Sequence, residues 1–356
     1  MFRGFDPLLL LCIAWLAGIG LLAMYSAGYD HGTRFVDHAR NMLLAAGILF
    51  VVAQIPPQRL MMVAVPLYTV GVLLLLAVLL FGITKKGATR WVNVGVVIQP
   101  SEIMKIAAPL MLAWWFHRRE SVLHALDFVI AFALLALPVA LILKQPDLGT
   151  AMMVLLIMGG MILFHGLRRY VLGTCLLAVP GVAALMWCVL MHDYQKQRVL
   201  TFLNPGDDPL GAGYHILQSR IAIGSGELWG KGYMEGMMNK LNFLPERHSD
   251  FALAVFGEEW GFVGCVALVT LFCLFLLSIF STVVQAKDRF GSMLAVGVFF
   301  YFFWQICINM GMVIGLMPVV GIPLPFISYG GSATVVNFTL LGIVLNVSMR
   351  RFMFKS

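Results

Sequence analysis

The chain has 356 residues, 61% of them hydrophobic and only 12% charged, and its mean hydropathy is +0.92. A soluble domain carries about 25% charged residues, so this chain has too little charge to face water on all sides. Its net charge of +7 does not point to nucleic acid. Much of the positive charge falls in short turns and tails assigned to one side of a bilayer: Arg3, Arg59, Arg118, Arg119, Arg168, Arg169, Lys287, Arg289, Arg350, Arg351 and Lys355. Basic residues in short loops orient a membrane protein with those loops in the cytoplasm, so both ends of the chain are expected there.

Apolar stretches expected to span the bilayer occur at 8–27, 39–55, 60–82, 101–117, 124–143, 149–166, 170–190, 251–284, 291–316 and 332–349. Each is close to the length needed to cross about 30 Å of hydrocarbon as a helix. The first follows Arg3 and has the outline of a signal peptide, but the stretches after it make it the first anchor. The expected fold is an all-α polytopic membrane protein with about ten transmembrane helices and one domain over residues 1–356. Cys12, Cys175, Cys188, Cys265, Cys273 and Cys307 all lie in apolar stretches without CxxC spacing, and are expected to be buried small hydrophobes.

Two connections are long. Residues 83–100 (ITKKGATRWVNVGVVIQP) join the third and fourth helices, and residues 191–250 form a large outer loop between the seventh and eighth. Loops of this length in a compact fold usually carry function. Within the second, Tyr214 to Ile223 has helical spacing and is expected to lie as an amphipathic helix on the bilayer surface. The run IGSGELWGKG (Ile223 to Gly232) resembles a phosphate loop, but no strand precedes it, so it reads as a flexible turn.

The polar residues fall at helix heads. Glu102 and Lys105 stand three apart, on one face of the fourth helix and within reach of each other. Charges within a span are costly and mark function, or else the lysine snorkels. Asp147 precedes the sixth helix and reads as its N-cap. Asp250 opens the eighth helix beside Glu246, Arg247 and His248; it is either a cap or, with its pKa tuned, a base. Gly315 to Ala333 holds three prolines and cannot be continuous helix. A broken turn there needs burial in protein or a cavity to line, with Ser332 placed to cap the last helix.

Taken together, AQIPP (53–57), KGATRWVNVG (86–95), QPSEIMKIAAPLM (99–111), QPDLGTA (145–151), MHDYQKQRV (191–199), DPLGAGYHILQSRIAIGSGELWGKG (208–232), FLPERHSDF (243–251) and PVVGIPLPFISYGGSA (318–333) resemble the SEDS family (shape, elongation, division, sporulation). Within it the chain is more similar to the elongation members. Division members read closer to PTTGLTLP where this chain has Pro318 to Pro325, and Ser249 stands where Thr is common. The resemblance implies a peptidoglycan glycosyltransferase that polymerises lipid II on the outer face of the inner membrane and releases undecaprenyl pyrophosphate. It implies Asp250 as the catalytic residue. It makes Arg90, Lys105, Arg198, Arg220 and, more weakly, Arg40 the cations for the diphosphate, with Glu102 holding Lys105 and with Glu246 and His248 around the base. It leaves a divalent cation (Mg2+ or Mn2+) open. The implied partners are lipid II, undecaprenyl-linked glycan, a class B penicillin-binding protein, and the elongation proteins MreC and MreD, with no nucleic acid. A lipid II flippase and a non-catalytic scaffold of the elongation complex would use the same features.

Overall fold

Backbone polar groups in lipid must be satisfied within the protein, and the apolar stretches meet that demand as helices. The computed structural model describes residues 6–27, 33–85, 88–93, 97–119, 125–166, 193–204, 212–237 and 248–350, with isolated positions between 173 and 191. Its helices are α1 (Pro7–Ala27), α2 (Thr33–Gln54), α3 (Pro57–Phe81), α4 (Pro100–Arg118), α5 (Ala125–Lys144), α6 (Leu148–Gly166), α7 (Asp193–Leu203), α8 (Ala212–Ser225), α9 (Ala252–Gln285), α10 (Arg289–Val313) and α11 (Gly331–Arg350). Among the described residues, eight of these are long and apolar enough to cross a membrane: α1, α2, α3, α5, α6, α9, α10 and α11. The expected span 101–117 forms as α4 but is not apolar enough to join that group, and protein buries most of it from Met104 to Ala113. The expected span 170–190 lies outside the described residues, apart from isolated positions.

The chain divides into two compact units. The first holds α1, α2, α8, most of α9, the end of α10 and α11. Here α11 packs along α2. Gly342 sits where a side chain would strike Leu49 O and Val52, and Asn346 Nδ2 donates to Ala53 O at 2.9 Å and to Val52 O at 3.2 Å. Helix α8 forms where expected, but it does not simply lie on a surface. Ile216, Ser219 and Ala222 are buried, and Ser219 Oγ donates to Val313 O at 2.7 Å, while Leu217 and Ile221 on its other side are exposed.

The glycine-rich run is docked rather than loose. Helix α9 breaks at Gly261, which has φ 64° and ψ −165°, a conformation that glycine adopts without penalty. A helix pairs each N–H with the carbonyl four residues back, so this break opens the bonds 262 to 258 and 263 to 259. All four freed groups bond the run instead: Phe262 N to Glu227 O (2.9 Å), Val263 N to Leu228 O (3.1 Å), Lys231 N to Glu258 O (3.0 Å) and Gly232 N to Glu259 O (3.1 Å). A Cβ at Gly226, Gly230 or Gly261 would overlap the opposing backbone, so backbone-to-backbone contact accounts for these glycines.

From Ile322 to Ser328 the segment between α10 and α11 is largely buried in protein, as a broken turn in lipid must be. Ile322, Leu324, Phe326, Ile327 and Ser328 are buried. Gln305 Nε2 donates to Pro323 O at 2.9 Å, and Asn309 Nδ2 donates to Ile322 O at 2.7 Å. Phe326 has φ 67°, a costly conformation for a residue with a Cβ. Its ring contacts Phe275, Phe302 and Phe338, and the bare edge of Gly20 admits its carbonyl. Helix α11 starts at Gly331, so Ser332 lies in the first turn instead of at the cap; Thr334 Oγ1 donates back to Gly330 O at 2.7 Å.

The second unit holds α3, α4, α5, α6 and the start of α10. Tyr68 donates to Leu134 O at 2.7 Å and Gln145 Nε2 to Leu75 O at 2.8 Å, while Gly160 admits the ring of Phe300. The connection from α3 to α4 is a small antiparallel sheet of β1 (Ile83–Lys85), β2 (Ala88–Asn93) and β3 (Val97–Ile98), in the order β1-β2-β3, with Ile83 opposite Trp91 and Val92 opposite Ile98. Its β-branched and aromatic residues favour the extended state. Of the cysteines, Cys12 is buried, Cys265 and Cys307 are half-buried, and Cys188 and Cys273 are exposed; Cys175 lies outside the described residues. The burial expected of Cys188 and Cys273 fails because an apolar thiol in a membrane helix can face lipid instead of a core.

Candidate active site

In the first unit, Asp250 stands in the turn that leads into α9. Asn309 Nδ2 donates to its carbonyl at 3.0 Å. Its carboxylate faces Gly321 of the proline-rich segment, where a Cβ would come 3.5 Å from Oδ2. Gly321 has φ 74°, so the chain can turn past the carboxylate without a side chain in the way. Two residues earlier in the same segment, Val319 O accepts from Arg198 Nη1 at 2.9 Å. One short stretch of backbone thus borders a carboxylate and anchors a guanidinium.

His248 lies two residues before Asp250. Its carbonyl accepts from Tyr329 N at 2.8 Å, and its Nδ1 is 2.9 Å from Arg34 Nη1. Arginine can only donate, so Nδ1 is the acceptor and the imidazole proton resides on Nε2. Arg220 is exposed on α8, with its stem against Gly315. Arg40 is exposed and ion-paired with Asp37 at 2.9 Å, one turn away on α2. Glu246 lies outside the described residues.

The second unit gathers Arg90, Glu102 and Lys105 with Asp147. Asp147 Oδ1 accepts from Thr150 N at 3.3 Å, which makes it the cap of α6; Oδ2 accepts from Gln99 Nε2 (3.1 Å) and Ser101 Oγ (3.3 Å). Arg90 extends from β2 to within 3.7 Å of Oδ1 and donates to Pro146 O. The cap residue therefore also fixes a cation. One turn into α4, Lys105 Nζ is 2.6 Å from Glu102 Oε1, and both side chains are largely buried. Glu102 lies in the first turn, where the helix dipole favours its charge. Buried pairs of this kind are costly to desolvate and need close geometry. No group of three or more His, Cys, Asp or Glu side chains comes together to ligate a metal among the described residues.

Arg34, Asn309 and Gln305 escaped the sequence reading. The amides had a signal, standing four apart within an apolar helix, where polar groups usually bond across helices; Arg34 had none, because it precedes the expected span 39–55 and joins α2 only because that helix starts at Thr33.

These features define a polytopic membrane protein whose ionisable side chains cluster at helix heads. Residues 7–352 match the cell cycle protein family of FtsW, RodA and SpoVE, and the chain belongs to that family. It is 43% identical over 351 residues to the peptidoglycan glycosyltransferase MrdB of Escherichia coli K12, covering 98% of this chain and 94% of that one. It is 37% identical to a probable peptidoglycan glycosyltransferase FtsW of Geobacter metallireducens, covering 97% and 95%. Among solved structures it resembles a chain from a study of polymerisation and crosslinking by a peptidoglycan synthase complex (TM-score 0.85, 30% identity, 99% of each chain covered). It also resembles the rod shape determining protein RodA of Thermus thermophilus, including an aspartate-to-alanine mutant (TM-scores 0.74 and 0.75, 27% identity, 99% of each chain covered).

Proposed function

We propose that the chain is a peptidoglycan glycosyltransferase that polymerises lipid II into β-1,4-linked glycan strands during cell elongation. The observation that carries this reading is that Asp250 and Arg198 border one short stretch of backbone, at Gly321 and Val319. The GlcNAc 4-hydroxyl of the acceptor attacks the anomeric carbon of the donor. Asp250 accepts the hydroxyl proton as a general base, and undecaprenyl pyrophosphate leaves with inversion of the α-linkage. The departing diphosphate develops negative charge, which fixed cations stabilise far better than mobile ones. Arg198, already tied down, and Arg220 are the first unit's candidates for that role, and Arg90 and Lys105 are the second unit's. Arg40 is the weakest, because Asp37 engages it and it is exposed. Glu102 holds Lys105, while His248 and, by the family motif, Glu246 shape the surroundings of the base. The described residues offer no metal cage, and no step above is routed through a divalent ion.

The site faces the periplasm from the inner membrane, with both termini cytoplasmic. The partner is a class B penicillin-binding protein that cross-links the new strand, alongside MreC and MreD. The rival reading is a lipid II flippase. In vesicles carrying fluorescent lipid II, polymer formation and translocation can be followed separately. Asp250→Asn is expected to abolish polymer from the wild-type protein's substrate. Wild-type translocation without polymer, unaffected by Asp250→Asn, would overturn the assignment in favour of the flippase.

A further inference from the structure

The break in α9 divides it into a short N-terminal stub, Ala252 to Trp260, and a long remainder. Asp250 sits at the head of that stub. The break at Gly261 opens the bonds 262 to 258 and 263 to 259, so the stub's direction depends in part on what bridges it. Backbone bonds from the glycine-rich run supply part of the bridge. Two side-chain contacts hold the stub itself, one to the same run and one to α1. Glu258 is fully buried, and its Oε1 lies 2.7 Å from Lys231 Nζ, while Lys231 N also donates to Glu258 O. On the next residue, Ser26 of α1 donates to the buried carboxylate of Glu259. Tyr233 continues this tie by donating to Leu22 O at 3.1 Å. Burial, then the nearby Glu259 carboxylate and Tyr25, push the Tyr233 phenol up from its ordinary value, so it stays protonated and donating.

We propose that Lys231 and Glu258 are positioning residues: they form a latch across the break in α9 that aims the stub, and with it the carboxylate of Asp250. Three observations converge on this. Lys231 grips Glu258 through both main chain and side chain, where a solvent-exposed ion pair would contribute little. The pair holds the stub to the glycine-rich run, whose Glu227 and Leu228 bond Phe262 and Val263 on the far side of the one residue of α9 with non-helical geometry. The far end of the stub is held separately, by Asn309 on the Asp250 carbonyl, so moving the latch end rotates the carboxylate about a fixed point. Neither residue reaches substrate in this account; they act through Asp250.

The inference rests on Asp250 as the base, and the test keeps the two apart. Lipid II polymerisation is measured with the full-length protein bound to its transpeptidase, for Lys231→Met, Glu258→Gln, the double variant, Lys231→Arg and Asp250→Asn. Each is followed by kcat, KM for lipid II, the acid limb of the kcat/KM profile and the thermal midpoint. Lys231→Met takes the cation from a buried carboxylate, so it loses thermal stability and the double variant recovers it; Lys231 is part-exposed, so Glu258→Gln alone costs less. The latch predicts that kcat nonetheless stays at least tenfold down in the double variant, with KM within about twofold of wild type and the acid limb displaced. Lys231→Arg keeps the charge with altered geometry, and is expected to show an intermediate kcat. A double variant whose kcat returns to wild type along with its midpoint would overturn the latch and leave a purely structural pair. Should neither single nor double variant fold, Lys231→Arg decides: wild-type kcat and an unmoved limb would overturn the proposal. An active Asp250→Asn would instead remove the reading on which the latch depends.

Discussion

At the residue scale the candidate site is built from side chains held by backbone atoms. Arg198 bonds Val319 O, so its guanidinium is fixed before any substrate arrives. Arg198→Ala is expected to lower kcat with a smaller effect on the thermal midpoint, and Arg198→Lys to recover little, because a lysine cannot reproduce the guanidinium fork. Purified-enzyme kinetics with lipid II check both. Gly321→Ala places a Cβ on a residue with φ 74° and beside Asp250 Oδ2. The left-handed backbone alone costs about 1–2 kcal/mol, so both the melting temperature in detergent and the turnover should fall. Asp147→Ala removes a cap worth about 1 kcal/mol and frees Arg90. It should therefore lower the thermal midpoint more than Ser101→Ala does, since the serine supplies only one of the bonds to Asp147. The sequence reading saw Asp147 as a cap but not as the holder of Arg90, because the partners come from β2 and α4, far from it along the chain.

At the element scale the backbone inventory explains what composition could not. A run of glycines ahead of an apolar helix suggests mobility when read alone. Its docking depends on Gly261, about thirty residues further on, whose backbone angle no periodicity reveals. Gly230→Ala or Gly261→Ala should remove the space in which the two backbones meet, and a pulse-proteolysis comparison in detergent should show both variants cleaved between 226 and 236, where the wild type resists. The prolines at 318, 323 and 325 did announce a broken segment, and burial of Ile322 to Ser328 bears that out. Its anchors did not stand out, because Gln305 and Asn309 were hidden inside a helix judged by its apolar content. Asn309→Leu leaves the Asp250 and Ile322 carbonyls without their amide donor. An abandoned buried group costs about 1–3 kcal/mol, and the thermal midpoint should fall accordingly.

At the scale of the whole molecule, composition was the strongest guide. The apolar content fixed a membrane protein, and where the described residues test them the apolar stretches located the helices to within three residues, except that α2 starts at Thr33, well ahead of its stretch at 39–55. The helix α4 was found despite its charges, and those charges are accommodated because protein, not lipid, surrounds most of it. The small sheet between α3 and α4 was not anticipated, since six-residue and shorter strands leave little pattern beside twenty-residue helices. Family motifs supplied the proposed chemistry, which hydropathy cannot, because the candidate residues are a few polar side chains among long apolar stretches.

The central claim is that Asp250 takes the proton from the attacking sugar hydroxyl. Gel-resolved glycan strands made from purified lipid II test it most directly, using the protein bound to a transpeptidase blocked with penicillin so that strands stay uncrosslinked. The wild type should give a ladder of strands, and Asp250→Asn none, at equal amounts of folded, partner-bound protein. General-base removal is expected to slow turnover by about 10²–10⁴-fold. A ladder from Asp250→Asn at the wild-type rate would contradict the account.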